Sequence, residues 1–328
     1  MMDSGVDEFP MIDPKYIDEA LKIVKGENTM IMFHAEMDSA NDSCCTNVGG
    51  ESNKKEKHEH EHNHEEKLKS TDPRAYTSFL ESRPDSFEKN AISHIIACLE
   101  KQPTTPVHIV HLASQEAIPM IQKAKFEKNL PLSVETCFHY LTIKSEDIPD
   151  GATQFKCCPP IRTDENRKQL WSALKDGTIT SVVSDHSPCV PELKGLDKGD
   201  FFQAWGGITS VGLGLPLLYT EGSTNFKVDL VDIAKWCCEN TAAQVGLGHQ
   251  KGKIAPGYDA DFAIFDDNTD YEIANARTYF KNKLTAHSGK KMKGRVIETI
   301  LRGNSIYAFG KGVSDVPMGK LILEPRQN

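Results

Sequence analysis

The chain has 328 residues, 38% hydrophobic and 26% charged, with a formal net charge of −9. That size supports one large core or two smaller ones, and the composition is that of a water-soluble globular protein. An acidic balance without a basic stripe excludes nucleic acid as a partner, and no apolar run reaches membrane-spanning length.

Nine cysteines are an odd count, and Cys44-Cys45, Cys157-Cys158 and Cys237-Cys238 are adjacent pairs, which suit a reducing compartment better than a disulfide framework. The first residues carry no signal-peptide pattern, so the cytoplasm is the expected location, with peroxisome and mitochondrion left open.

In chain order, Asp13-Pro14 opens a helix over 16–25 that puts Ile17, Ala20, Leu21 and Val24 on one face, and Gly26 ends it. An apolar strand follows and runs into His34. Residues 40–68 then break the pattern with Ser, Asn, Lys, Glu and His, including alternating His and Glu over 58–66. Such a tract can collect zinc or nickel, but it cannot bury enough apolar surface to order itself. It reads as a disordered surface insertion whose deletion leaves stability nearly unchanged, because loop length costs little closure entropy.

Structure resumes at Asp72-Pro73. A helix over 88–101 turns Ala91, Ile92, Ile95, Ile96 and Leu99 inward, with His94 at its boundary. Then come a strand ending in His111, a helix over 115–129, a strand over 131–137, a helix over 165–176, and the apolar run Ser181-Val182-Val183 into Asp185-His186. Strand–helix alternation of this kind is the α/β signature. Three strands each hand over one metal-capable side chain, His34, His111 and Asp185, at the same end, which is where a parallel barrel places its chemistry. The pattern points to a metal hydrolase. One such residue alone is more often a satisfied polar group, so the coincidence of three carries the reading.

The loop Lys156 through Arg162 holds a rigid Pro159-Pro160, and Gly206-Gly207 permits close backbone approach. Two helices over 213–219 and 230–239 follow. From about 251 the character changes to a short strand, a hairpin around Arg302-Gly303-Asn304, and a last strand over 321–323. The expected organisation is a catalytic partial barrel over 1–250 and β-sandwich strands with a tail over 251–328.

Several segments carry a resemblance: Ser4 to Pro10, Phe33-His34-Ala35-Glu36-Met37, Ser82-Arg83-Pro84, Glu135 to Tyr140, Lys156 to Arg162, Ser184 to Cys189, and Ala204 to Ile208. Jointly they resemble the cyclic amidohydrolases of the amidohydrolase superfamily, and within it the allantoinases. The resemblance implies a TIM barrel with a small β-sandwich, two divalent metals (usually zinc), and hydrolysis of the allantoin ring to allantoate. It implies His34 and His111 as ligands of one metal, Asp185 as ligand of the other and general base, and Cys158, His186 and Gly207 as contacts to a small-molecule substrate. It also implies a homo-oligomer. His108, three residues from His111, is expected to be structural, and His139 to lie behind the ligands.

The resembled family also has a His-x-His pair on its first barrel strand and a carboxylated lysine on its fourth. Neither precedes His34 here, so the chain reads as the second half of such a barrel, inactive by itself. Dihydropyrimidinase, hydantoinase and dihydroorotase are the alternatives within the same chemistry. A non-catalytic homologue with an assembly role is the alternative from another class.

Overall fold

The computed structural model describes residues 11–38 and 72–323. The His-rich tract and its expected dispensability lie outside the described residues.

Four short strands form one parallel sheet: β1 (Ile31–Phe33), β2 (Val107–Ile109), β3 (Leu132–Cys137) and β4 (Ser181–Val183), in that spatial order. Phe33 pairs with Ile109, Ile109 with Val134, and Cys137 with Val183. Because neighbours are parallel and consecutive, every carboxyl end lies on one edge, and helical crossovers connect the strands. β2 is buried along its whole length, as expected of a strand covered on both faces.

The helices follow from local signals. In α1 (Pro14–Ile23) the Asp13 carboxylate caps the Tyr16 N–H at 2.8 Å, and Ile17 and Leu21 are buried. A helix not anticipated from sequence, α2 (Tyr76–Ser82), precedes α3 (Asp85–Lys101), which buries the five apolar residues expected of it, and His94 is half-buried.

The helix expected over 115–129 is instead three abutting turns of different pitch: a 3₁₀ turn (Gln115–Ala117), α4 (Ile118–Gln122) and a π turn (Lys123–Glu127). Pro119 stands in the first turn of α4, where its missing N–H costs nothing. After β3 the chain turns at once into α5 (Phe138–Thr142). In α6 (Asp164–Lys175), Thr163 caps Asn166, and Trp171 donates from its buried indole N–H to the Leu141 carbonyl at 2.9 Å. The remaining helices are α7 (Pro191–Lys194), α8 (Gly214–Glu221), α9 (Leu230–Ala234) and α10 (Asn240–Gln244).

The last part of the described chain is a four-stranded antiparallel sheet of β5 (Phe262–Glu272), β6 (Lys291–Leu301), β7 (Asn304–Ala308) and β8 (Gly312–Val313). The hairpin turn at Arg302-Gly303 has φ of 46° and 78°, the left-handed pair that a tight two-residue turn needs. The strand expected over 321–323 is absent. Leu321 and Leu323 lie in irregular, exposed chain, since three apolar residues make no strand without a partner edge. The sheet meets the parallel layer at α8, where the Thr220 hydroxyl accepts from Lys293 N–H at 2.9 Å and donates to Lys293 O at 3.1 Å.

Candidate active site

The carboxyl edge of the parallel sheet collects most of the polar side chains that the sequence singled out. His34 follows β1 directly, and its ring lies edge-on to that of His111, with centroids 4.5 Å apart. Its Nε2 is 2.7 Å from Glu36 Oε2, and the same oxygen accepts from Arg83 Nη1 at 2.8 Å. Glu36 is fully buried. Burial opposes its charge, but His34 and Arg83 outweigh that and hold its pKa below the ordinary value. This pairing leaves Nδ1 as the ring atom of His34 still open to another ligand. Arg83 entered the sequence analysis only as part of a resemblance, since a charge that pairs across 47 positions has no periodicity to betray it.

His111 has φ +44°, a left-handed conformation uncommon for a residue with a side chain. The surrounding chain enforces it. Leu112 N–H donates to Glu135 O at 2.8 Å, and the Thr136 hydroxyl to Leu112 O at 2.8 Å. Glu88 accepts from Ala113 and Ser114 N–H, and Asn166 bonds both Ala113 O and Gln115 N–H. Strain held by this many contacts is what sites store. Burial, aided by His34, lowers the His111 pKa to about 3, so the ring is neutral, and its buried Nδ1 has no hydrogen-bond partner.

Asp185 shares the feature, with φ +41° two residues past β4. Burial raises its pKa, His34 pulls it down, and Glu135 adds to the rise. His108 is wholly buried inside the sheet, with Nδ1 2.7 Å from Ser133 Oγ and Nε2 3.0 Å from Glu135 Oε2 in an alignment too poor for a hydrogen bond. The strand is regular only through Ile109, so the alternation argument does not reach His111.

His186 is turned to a different task. Its Nδ1 accepts from Ser210 and Val211 N–H at 3.0 and 3.1 Å, which leaves Nε2 to carry the proton. Gly207 donates its N–H to Lys156 O at 2.8 Å, and a Cβ there would lie 2.4 Å from Ser187 O, so only glycine fits. A Cβ on Gly206 would lie 3.5 Å from Cys158 Sγ, which puts the two loops in contact.

Two buried lysines that sequence reasoning missed tie these loops together. Lys194 Nζ donates to Lys156 O, Trp205 O and Gly207 O at 3.2, 2.9 and 2.6 Å, and burial lowers its pKa to about 8. Lys156 Nζ donates to Phe202 O and Ala204 O at 3.1 and 2.6 Å. Nothing in the composition of Pro191-Glu192-Leu193-Lys194 marks it as buried.

Among the described residues, one set of three metal-capable side chains has ligand atoms all within 4.8 Å of one another: Cys137, His139 and Asp185. It shares only Asp185 with the expected set.

Comparison with known proteins decides the family. The amidohydrolase family model matches residues 5–306. The chain belongs to the amidohydrolase family. It is 54% identical over 329 residues to an allantoinase of Saccharomyces cerevisiae, spanning 100% of this chain and 65% of that protein. It is 38% identical over 336 residues to a probable allantoinase 2 of Dictyostelium discoideum, spanning 99% of this chain and 62% of that one. The chain thus covers a little under two thirds of the length of these relatives. A D-hydantoinase structure from Thermus sp. superposes with a TM-score of 0.82 at 24% identity, covering 98% of this chain and 66% of that one. The fold is therefore that of the TIM-barrel amidohydrolases, as the sequence suggested. Among the described residues, no helix is long and apolar enough to cross a membrane.

Amidohydrolases are generally metal-dependent. The expected residues offer donors for such ions, namely the orphaned Nδ1 of His111, the open Nδ1 of His34 and the desolvated carboxylate of Asp185, which suit a borderline dication, although these three do not converge within 4.8 Å as a single ligand set.

Proposed function

We propose that the protein to which this chain belongs hydrolyses the cyclic amide of allantoin to allantoate with two bound divalent metals, zinc being the ion that imidazole and carboxylate donors favour. The observation that carries the reading is the left-handed Asp185, a partly desolvated carboxylate that feels the charge of His34 at the sheet edge on which His111 also stands, in a chain 54% identical to an allantoinase. His34, His111 and Asp185 would hold metal, and the metal would polarise the scissile carbonyl and acidify water.

The chain's own residues then have distinct tasks. Asp185 takes the proton of the attacking water as the C–O bond forms, and returns it to the ring nitrogen as the C–N bond breaks. Glu36 and Arg83 fix the ring of His34. His186 donates from Nε2 to a substrate carbonyl, while the backbone of Cys158 and the free lone pair of Gly207 O line the other side. Lys194 and Lys156 keep those loops in register. The substrate is a small molecule, the seven described free cysteines suit a reducing compartment such as the cytoplasm, and we expect a homo-oligomer.

The test is a chimera in which this chain replaces the matching 329 residues of the yeast relative. It should hydrolyse allantoin in preference to dihydrouracil, hydantoin and dihydroorotate. Asp185→Asn should lower kcat by about 10²–10⁴-fold without unfolding the protein. Faster turnover of dihydrouracil, or full activity of the Asn variant, would overturn the reading.

A further inference from the structure

At the carboxyl ends of β3 and β4, Cys137, His139 and Asp185 converge, with their ligand atoms all within 4.8 Å. Cys137 is the last residue of β3, and His139 lies two residues on, in the first turn of α5. Both are fully buried. Neither ring nitrogen of His139 has a hydrogen-bond partner, although buried polar atoms are rarely left so. His287 bears on the same ring, and it too is buried with both nitrogens unpartnered, so the two imidazoles do not satisfy one another. Cys137 is a free thiol, and Asp185 carries the desolvation described above.

A divalent cation between the three would meet each of these needs at once. Thiolate sulfur, imidazole nitrogen and carboxylate oxygen form a donor set for zinc, cobalt or cadmium, whereas magnesium and calcium call for oxygen alone. Three protein ligands also leave one coordination position open.

We propose that Cys137, His139 and Asp185 form a binding site for one borderline or soft divalent cation, separate from the His34–His111 pair, and that filling it inhibits catalysis by engaging the Asp185 carboxylate. The inhibition, though not the binding, rests on the role proposed for Asp185. As the sulfur–metal bond forms, the thiol proton passes to solvent.

Cobalt titration of the 328-residue chain reads the site through sulfur-to-cobalt charge-transfer absorption. Absorption from Cys44, Cys45 or the His-rich tract is common to all variants and cancels in the comparison. Cys137→Ser should remove one component of the band, and His139→Gln and Asp185→Asn should each weaken that component by at least about tenfold in apparent affinity. Titrations of His139→Gln and Asp185→Asn that match the unsubstituted chain would overturn the site, and these two variants decide the matter if Cys137→Ser does not fold. For inhibition, the active chimera should lose at least about tenfold of its cadmium sensitivity on Cys137→Ser. Unchanged sensitivity would overturn the inhibitory role. A chimera inactive towards allantoin would sink the proposed function and leave the cobalt result standing.

Discussion

The two sheets of this protein are built to different ends. Three of the four strands of the parallel sheet are only three residues long, and β2 to β4 are largely buried, although Met32 on the edge strand β1 is exposed. In the antiparallel sheet β5 and β6 run for eleven residues each, yet Ile264, Ile297 and Phe309 remain exposed. The short strands end early because their work is to hand over a residue: His34, His111 and Asp185 each stand within two positions of a strand terminus, two of them on left-handed backbone. The long strands hand over nothing of the kind. Stability in the first region therefore depends on buried polar contacts behind the site, and in the second on local backbone geometry.

The sharpest way to break that contrast is Arg162→Ala. Arg162 is buried, and its Nη2 is 3.0 Å from Glu88 Oε2 while its Nη1 is 3.1 Å from Asp85 Oδ2. Glu88 is itself buried and supports the turn after His111. Burial raises its pKa even with Arg162 in place. Removing the guanidinium strands that carboxylate and should cost about 3–5 kcal/mol, measured by chemical denaturation. A loss under about 1 kcal/mol would show that the pair does not support the parallel sheet.

Acid should reach the same region next. Burial lowers the pKa of His287 to about 3 and pushes that of His139 well below its ordinary value. Below about pH 6.5 the unfolded chain takes up protons that the folded chain refuses, so stability is full above that pH and is lost as the pH falls towards the folded values. Between pH 7.5 and 5.5 these two and His111, also held to about 3, should together cost about 4 kcal/mol, read as a fall in Tm, and His287→Gln should remove about a third of the dependence. A flat Tm over that interval would mean that the rings are not held neutral.

In the antiparallel sheet the expected effect is smaller. Gly294 has φ +84° and sits where the β5–β6 register shifts, and a Cβ there would lie 2.2 Å from the Phe265 ring. Gly294→Ala should cost about 1–3 kcal/mol through backbone strain and overpacking. Unaltered stability would place the shift elsewhere.

Much of this division could be read from sequence, and the failures have physical causes. The apolar runs into His34, His111 and Asp185 located three strand ends, because a parallel sheet makes its strands continuously apolar. The amphipathic spacing of Ile17 and Leu21, and of Ile92, Ile95 and Leu99, located α1 and α3. Periodicity cannot report pitch, so the three-part helix around Pro119 read as one. It also cannot report pairs distant in the chain: Glu36 with Arg83, or Lys194 with three carbonyls, exist only once loops have met. The convergence of Cys137 and His139 with Asp185 is of the same type, since it needs the β3–β4 register.

The smallest effect is expected on the face of β5. Ile264 is 39% exposed and pairs with Glu298 across the sheet, beside the register shift to Phe265. Its side chain already meets water, so truncating it removes little burial. Ile264→Thr keeps the β-branch that a pleated strand favours and exchanges the ethyl arm for a hydroxyl that solvent can satisfy. Stability should change by no more than about 0.5 kcal/mol by chemical denaturation. A loss above about 2 kcal/mol would mean that this face is covered in solution, as when a second copy packs on it, and sedimentation should then show the substituted protein dissociating. A null result keeps the contrast: the parallel sheet is sensitive at its buried polar contacts, and the antiparallel sheet only where its backbone bends.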